Sequence, residues 1–341
     1  KSGKDIAVIG LQTTFLDHWF YGSDWQQYEL ASSIETLEKI MPEIHRAKPD
    51  LIVLAAHQGF RYRDKRGVND LKGIAYRFPE IDLILGGHTH WELPAKRINQ
   101  SFCVQPGQHG SYLSWIKVEF REREKPLLKM QLVPVKGEYD HELYEKLRPQ
   151  LERIKDYEEE AVCTLAKEIS SRGEPGYRNQ ISDLICRSMI EATGADLAIH
   201  GTLSKASLAK GVVKQKDLFK VMPYENTFLV VELSKEEIRQ LIEEQQRLKW
   251  YKRQQVYGLK AYFEEDVLIR LEFKEKKEPY KVVLTNRLAA GHGARCPVAK
   301  ELLDRYRERV KEWPVTSREV LRRFLKKGKG LYDFKQQYFQ E

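Results

Sequence analysis

Three histidines have the types and spacing that could do chemistry. His57 follows the apolar run Leu51-Ile-Val-Leu-Ala55, and His88 and His90 follow Ile81-Asp-Leu-Ile-Leu85 across two glycines. Each run has the length and composition of a buried strand, and ligands of open α/β sheets gather beyond the carboxyl ends of such strands. Imidazole is the commonest metal-ligating side chain, and the nearby glycines allow close backbone approach, so the pattern predicts a metal site. If His88-Thr-His90 is extended, both rings lie on one side of the chain, about 7 Å apart at the backbone, which suits one or two ions. Asp17, Asp50 and Asp82 are candidates for supporting these ligands.

The elements that must position the histidines follow from periodicity. Ile6 to Gly10 reads as a buried strand and Ser33 to Ala47 as an amphipathic helix with Ile34, Leu37, Ile40, Met41 and Ile44 on one face. With Leu51 to Ala55 they form a βαβ pattern. A short helix over Asp70 to Arg77, a strand over Ile81 to Leu85 and sheet additions at Val104 and Leu113 to Phe120 complete an α/β domain. Leu143, Leu147, Leu151 and Ile154 at helical spacing predict a long exposed helix over Glu142 to Glu160, with a kink at Pro149.

The second half opens with a loop over Arg172 to Asn179. A helix over Ile181 to Thr193, stopped by Gly194, leads into a strand over Asp196 to Ile199. Thr227 to Leu233 reads as a strand, and Ser234 with Glu237 as a capping box opening a helix. Strands over Gly258 to Phe263, Val267 to Phe273 and Tyr280 to Thr285 precede a helix over Val298 to Glu312, an α+β arrangement.

Composition narrows the class. The 341 residues are 41% hydrophobic and 32% charged, with no run of roughly 18 apolar residues, which excludes disorder, collagen and a spanning helix. The formal charge of +8 is scattered and gathers mainly in Arg322-Arg323 and Lys326-Lys327-Gly328-Lys329, so a solvated basic tail is expected rather than a nucleic-acid interface. Cys103, Cys163, Cys186 and Cys296 form no Cys-x-x-Cys pair and read as buried thiols. The chain opens on Lys1-Ser-Gly-Lys4 with no leader, and further chain is expected upstream.

On these residues the chain resembles a known family. Leu51 to Gly59 and Asp82 to His90 are similar to the last two metal motifs of the calcineurin-like metallophosphoesterases. Ile6 to Thr14 and Gln105-Pro-Gly107 with His109-Gly110 resemble neighbouring segments of their 5′-nucleotidase / 2′,3′-cyclic phosphodiesterase branch. Thr193 to Ala198, Lys216 to Thr227 and Thr285 to Gly291 resemble that branch's C-terminal nucleotide-binding domain. The implied fold is the C-terminal portion of a metallophosphoesterase β-sandwich flanked by helices (1–136), a linker helix (137–160), an α+β 5′-nucleotidase C-terminal domain (161–318) and the basic tail (319–341).

The resemblance implies a hydrolase that cleaves nucleotides or related phosphate esters with two divalent ions, zinc, manganese or iron, polarising the phosphate and activating the attacking water. His57 and His88 would hold one ion and His90 the other. The family's other ligands and its catalytic His-Asp pair come from Asp-x-His, Gly-Asp and Gly-Asn-His-Asp/Glu motifs. No Asp here has His two positions on and no Asn-His pair occurs, so the catalytic residues are expected upstream of Lys1 and this chain alone is expected to be inactive. A truncated or degenerate member that binds a phosphorylated ligand without turnover is the alternative.

In the second domain Tyr224 matches the first of two base-stacking aromatics and Asn226 the base-contacting Asn. Where the family has Asn-Gly-Gly-Gly-Ile-Arg, this chain has His200-Gly-Thr-Leu-Ser-Lys205, which leaves Lys205 in place of the phosphate-binding arginine. Arg287 maps near the second aromatic and can stack on a purine. Asp183 stands where its charge would repel phosphate. The resemblance also implies export to the periplasm, cell wall or medium, and no membrane span, nucleic-acid polymer or obligate protein partner.

Overall fold

The computed structural model describes residues 3–22, 28–63, 68–121, 124–137, 139–174, 178–249, 252–265, 267–275 and 277–328. The chain forms two units, residues 1–17 with 26–139 and residues 18–25 with 140–341. Pro175 and Gly176 of the expected loop, and the tail from Lys329 on, lie outside the described residues.

The first unit runs β1 (Ile6–Leu11), α1 (Ser33–Ala47), β2 (Leu51–Ala56), α2 (Leu71–Arg77), β3 (Leu83–Leu85), β4 (Glu92–Ile98), β5 (Ser101–Pro106), β6 (Tyr112–Arg121) and β7 (Glu124–Pro134). Five strands form a sheet in the order β1-β2-β3-β5-β4, parallel except at the β4 edge. Alternate residues of the central strands face opposite ways. Ile52, Leu54, Ile84 and Cys103 pack with Leu37 and Met41 of α1 and Ile74 of α2. Leu51, Val53, Leu83 and Val104 pack against Ile116, Val118, Leu128, Met130 and Leu132 of the antiparallel β6–β7 hairpin. Burial on both faces explains why β2 reads Leu-Ile-Val-Leu-Ala-Ala without alternation. Helices on one face and a second strand layer on the other give the expected flanked sandwich. Helix α1 has the expected bounds, with Ser32 as N-cap and Lys48 in the left-handed conformation closing it.

The second unit opens with α3 (His141–Glu159), the expected long helix, which has no buried residue among those described. Tyr157 meets Phe219 edge to face, and Glu159 pairs with Lys214 and Lys216. There follow β8 (Ala161–Leu165), β9 (Gly173–Glu174), β10 (Arg178–Asn179), α4 (Gln180–Thr193), β11 (Leu197–His200), β12 (Gly211–Lys214), α5 (Gln215–Val221), β13 (Phe228–Leu233), α6 (Lys235–Gln246), β14 (Gln255–Tyr257), β15 (Lys260–Glu264), β16 (Val267–Glu272), β17 (Tyr280–Thr285), α7 (Asn286–Ala289), α8 (Pro297–Arg305), β18 (Lys311–Trp313) and α9 (Ser317–Lys326). The main sheet has the order β14-β11-β17-β13-β18, with β11 and β17 parallel. One face packs on α4, α5 and α9, the other on α6, α7 and α8. Tyr21 joins the second core and donates its hydroxyl to the Leu303 carbonyl at 2.8 Å.

Two expectations are corrected here. The helix expected to reach Glu312 stops at Arg305, and Lys311–Trp313 instead pairs with β13, Phe228 opposite Trp313. The tail expected from residue 319 is, through Lys326, a packed helix. Val320, Leu321, Phe324 and Leu325 are buried along one side, while Arg322 and Arg323 both pair with Glu319 on the other. Thr316 caps it. The cysteines are free, three buried and Cys163 half-buried, and burial pushes the Cys103 and Cys296 thiols up to about 12.

The Ser234–Glu237 capping box forms as expected, each side chain bonded to the other's backbone N–H. A second carboxylate on the same helix caps a different one. Glu244, 4% exposed, accepts from Val298 N at 2.6 Å and Ala299 N at 3.1 Å, at the start of α8, whose own N-cap, Cys296, makes no side-chain capping bond. Desolvation raises its carboxyl pKa against these two donors. Glu244→Ala would strand both N–H groups out of water and is expected to cost about 2–4 kcal/mol. Glu244→Gln, which keeps one acceptor, should cost less. Urea unfolding of the two variants checks the order.

Candidate functional site

His57 and His88 stand at the carboxyl ends of adjacent parallel strands, β2 and β3. His88 Nδ1 lies 3.4 Å from His57 Nε2, and the rings meet edge to face with centroids 5.3 Å apart. The Gly86-Gly87-His88-Thr89-His90 segment is not extended. His88 and His90 both have positive φ, 60° and 59°, and Thr89 N bonds back to Gly87 O at 2.6 Å. The same-side argument for the two rings therefore fails, because it holds only for extended backbone. The turn brings His88 to His57. Among the described residues no three His, Cys, Asp or Glu side chains converge into one ligand set, so His90 is not joined to that pair.

The two loops are bound to each other by glutamines that neither periodicity nor charge singled out. Gln58, 1% exposed, donates to Gln12 O and Ser33 Oγ and accepts from Asp70 N. Gln105, also 1% exposed, accepts from Phe60 N at 2.6 Å and donates to Thr89 Oγ1 at 2.9 Å, tying the loop after His57 to the loop carrying His88. Gly59 is required between them, since a Cβ there would stand 2.2 Å from Thr89 Oγ1 and 2.5 Å from Gly87 O. The available signal was that both lie in segments similar to the family's, Gln58 in Leu51 to Gly59 and Gln105 in Gln105-Pro-Gly107.

Two of the aspartates expected to support the histidines sit elsewhere. Asp82 accepts from Ile52 N at 3.0 Å, and Asp50 binds Lys4 at 2.8 Å and Asp5 N at 2.9 Å, both before the amino ends of their strands and so at the opposite end of the sheet. The Lys4 bond lowers the Asp50 pKa. Asp17 lies in the helical turn Thr14–His18.

The donor pair fits a cation. Two nitrogens bound at about 2.05 Å to a tetrahedral ion stand about 3.3 Å apart, close to the observed separation, and both loops are held by buried hydrogen bonds.

In the second unit Lys205, Tyr224 and Asn226, in loops, and Arg287, in α7, all lie at one end of the main sheet. Lys205 follows β11, Arg287 follows β17, and Tyr224 and Asn226 precede β13, which runs antiparallel to β17. Asn286 N, at the start of α7, donates to Thr227 O at 3.0 Å, joining that helix to the segment that precedes β13. Tyr224 is exposed and Asn226 buried, its carbonyl accepting from Ser317 N at 2.7 Å. Lys205 is exposed, and its carbonyl accepts from Ser171 Oγ. Arg287 is half-buried. Asp183 accepts from the Gln255 amide, which ties its carboxylate to β14.

His200, paired with Gln255 across β11 and β14, is 1% exposed. Burial lowers its pKa to about 4. An unfolded histidine titrates near 6.5, so between these values the unfolded chain binds the extra proton. The stability this neutral ring contributes is complete above about pH 6.5 and falls, by on the order of 3 kcal/mol, as pH drops toward 4. His200→Asn should flatten that part of the profile in urea unfolding at pH 7.5 and 5.

The fold of the chain is shared with proteins described as 5′-nucleotidases. Residues 160–300 match the family model described as 5′-nucleotidase, C-terminal domain. The chain is 26% identical over 260 residues to the Trifunctional nucleotide phosphoesterase protein YfkN of Bacillus subtilis, covering 71% of this chain and 17% of that one. It is 24% identical over 289 residues to Protein UshA of Yersinia enterocolitica, covering 71% and 52%. The fold is similar to that of a putative 5′-nucleotidase from Staphylococcus aureus, with TM-score 0.80 and 22% identity over 98% of this chain and 72% of that one. A 5′-nucleotidase precursor from Thermus thermophilus gives TM-score 0.60 at 18% identity, over 96% and 70%. The second unit thus matches the 5′-nucleotidase C-terminal domain, the chain as a whole is similar to proteins described as 5′-nucleotidases, and it spans about half the length of the Yersinia relative.

Proposed function

We propose that this chain forms the later part of a metal-dependent phosphoesterase of the 5′-nucleotidase family that hydrolyses nucleotides or related phosphate esters. The observation that carries the reading is the approach of His57 Nε2 and His88 Nδ1 to 3.4 Å at two adjacent strand ends, in loops fixed by Gln58 and Gln105. His57 and His88 would hold one divalent cation and His90 would serve a second. Bound zinc, manganese or iron supplies Lewis-acid polarisation of the phosphate and an activated water.

The chain's own side chains recognise the substrate. Tyr224 stacks on the base and Asn226 meets its edge, while Arg287 covers the other face of the ring. Lys205 offers the phosphate a point charge without the bidentate fork of an arginine, so phosphate recognition at this end is weaker than in relatives that carry the arginine. Among the described residues no helix is long and apolar enough to cross a membrane. From the family resemblance we infer export to the periplasm, cell wall or medium.

The test is hydrolysis of AMP, of a 2′,3′-cyclic nucleotide and of a generic aryl phosphate by this chain and by its complete reading frame, with Mn²⁺ or Zn²⁺. Metal-dependent turnover by the complete protein, and little by this chain, is expected. No metal-dependent turnover by either would overturn the proposal in favour of a binding role without catalysis.

A further inference from the structure

One buried arginine fastens the loop that carries Tyr224 and Asn226. Arg318, the second residue of α9, is 8% exposed. Its Nε donates at 2.9 Å to the carbonyl of Met222, the residue that ends α5. Its Nη1 pairs with the Glu225 carboxylate inside the loop, and its guanidinium lies 3.7 Å from the centre of the Phe219 ring. The neighbouring Ser317 N–H holds the Asn226 carbonyl, and beyond the loop the Thr227 carbonyl accepts from Asn286 N. Pro223 to Asn226 is therefore pinned between the end of α5 and the start of α9, with Tyr224 left exposed upon it.

A guanidinium that has given up most of its water needs each of these partners, and in return it holds all three in one geometry. An exposed loop that must order itself around a ligand loses affinity by the entropy of that ordering, and a loop already fixed does not. Arg318 is too buried to reach a ligand lying on Tyr224, so its effect passes through the loop. A cation acting by direct contact would favour ligands with phosphate over those without. A cation acting through the loop favours both alike.

We propose that Arg318 is a positioning residue for the base-binding loop and sets affinity for the nucleoside part of the ligand. The inference rests on the reading that Tyr224 and Asn226 meet a nucleobase. Calorimetric titration of the full chain with adenosine, AMP and inorganic phosphate tests it, using Arg318→Met, Arg318→Lys, Glu225→Ala and Tyr224→Ala.

Arg318→Met is expected to weaken adenosine and AMP by the same factor, about tenfold, and to leave inorganic phosphate unchanged. Arg318→Lys, which can still reach the Met222 carbonyl, should fall between. Glu225→Ala should weaken adenosine in the same direction. A cooperatively folded Arg318→Met chain that binds adenosine as wild type does, or that loses AMP and not adenosine, overturns the inference. Should Arg318→Met not fold, Glu225→Ala decides, and unchanged adenosine affinity overturns it. Wild-type chain that binds neither adenosine nor AMP, or Tyr224→Ala that binds them undiminished, removes the nucleobase reading itself and the inference with it.

Discussion

Ending the chain at Thr316 is expected to unfold the second unit. Helix α9 contributes Val320, Leu321, Phe324 and Leu325 to the core shared with α4 and α5, each at most 6% exposed. Burying each such side chain is worth about 1.5–3 kcal/mol, so the four together supply about 6–12 kcal/mol, comparable with the 5–15 kcal/mol that holds a whole domain folded. The truncation also strips the cover from Val162, Ile185 and Met189, and releases the Met222 and Asn226 carbonyls from Arg318 and Ser317. A chain ending at Gly328 keeps every one of these contacts and should unfold as the full chain does. Phe324→Ala is the milder form of the same experiment, with an expected loss of about 3–5 kcal/mol. Urea titration followed by circular dichroism distinguishes the outcomes. A cooperative transition for the Thr316 chain within about 1 kcal/mol of wild type would show that α9 is not part of this core.

That helix also shows where sequence reading reaches its limit. Helix α1 was legible to the residue because Ile34, Leu37, Ile40, Met41 and Ile44 repeat at helical spacing between a serine cap and a left-handed stop. Helix α9 has the same construction, a threonine cap followed by Val320, Leu321, Phe324 and Leu325, yet its four lysines and arginines dominate any reading by charge. Its place in a core depends on contacts with α4, more than 120 residues earlier in the chain, which no local pattern contains. Strand β18 is hidden for a related reason. Lys311-Glu312-Trp313 has no alternation to detect and becomes a strand because the β13 edge is there to pair with it.

The histidine site divides in the same way. That His57 and His88 lie together follows from two apolar strands of equal character running parallel, so the strand ends were enough to place them. The left-handed turn at His88 and His90 follows from how the loop packs, and the two glycines before it, Gly86 and Gly87, do not specify it. Gln58 and Gln105 are uncharged and unrepeated, so nothing in their type or spacing marks them out from surface glutamines. Asp82 shows the converse: proximity to His88 in sequence suggested a role, but a strand of three residues separates them by its full length.

The largest functional effect is expected from the paired histidines. If His57 and His88 share one cation, removing either leaves that ion a single imidazole from this pair, and His57→Ala and His88→Ala should each lower the affinity of the full chain for Zn²⁺ by about tenfold to a hundredfold. Their double variant should be little worse than either alone, since the two act as one site and their losses do not add. His90→Ala should leave that affinity nearly unchanged, because His90 does not join the pair. Gln105→Leu is the sharper test of geometry. It removes no ligand, but it cuts the bonds to Phe60 N and Thr89 Oγ1 that hold the two loops in register, and it should weaken binding by a similar factor. Because a proton competes with the ion at each imidazole, wild-type affinity should fall as pH is lowered, and the single variants should show a shallower fall, having one fewer proton to displace. Competition titration with a chromophoric zinc chelator at two pH values reads all of these. Equal zinc affinity in wild type, His57→Ala and His88→Ala would mean that the 3.4 Å approach is a hydrogen bond between two loop side chains, and the site would then have to be sought on other residues.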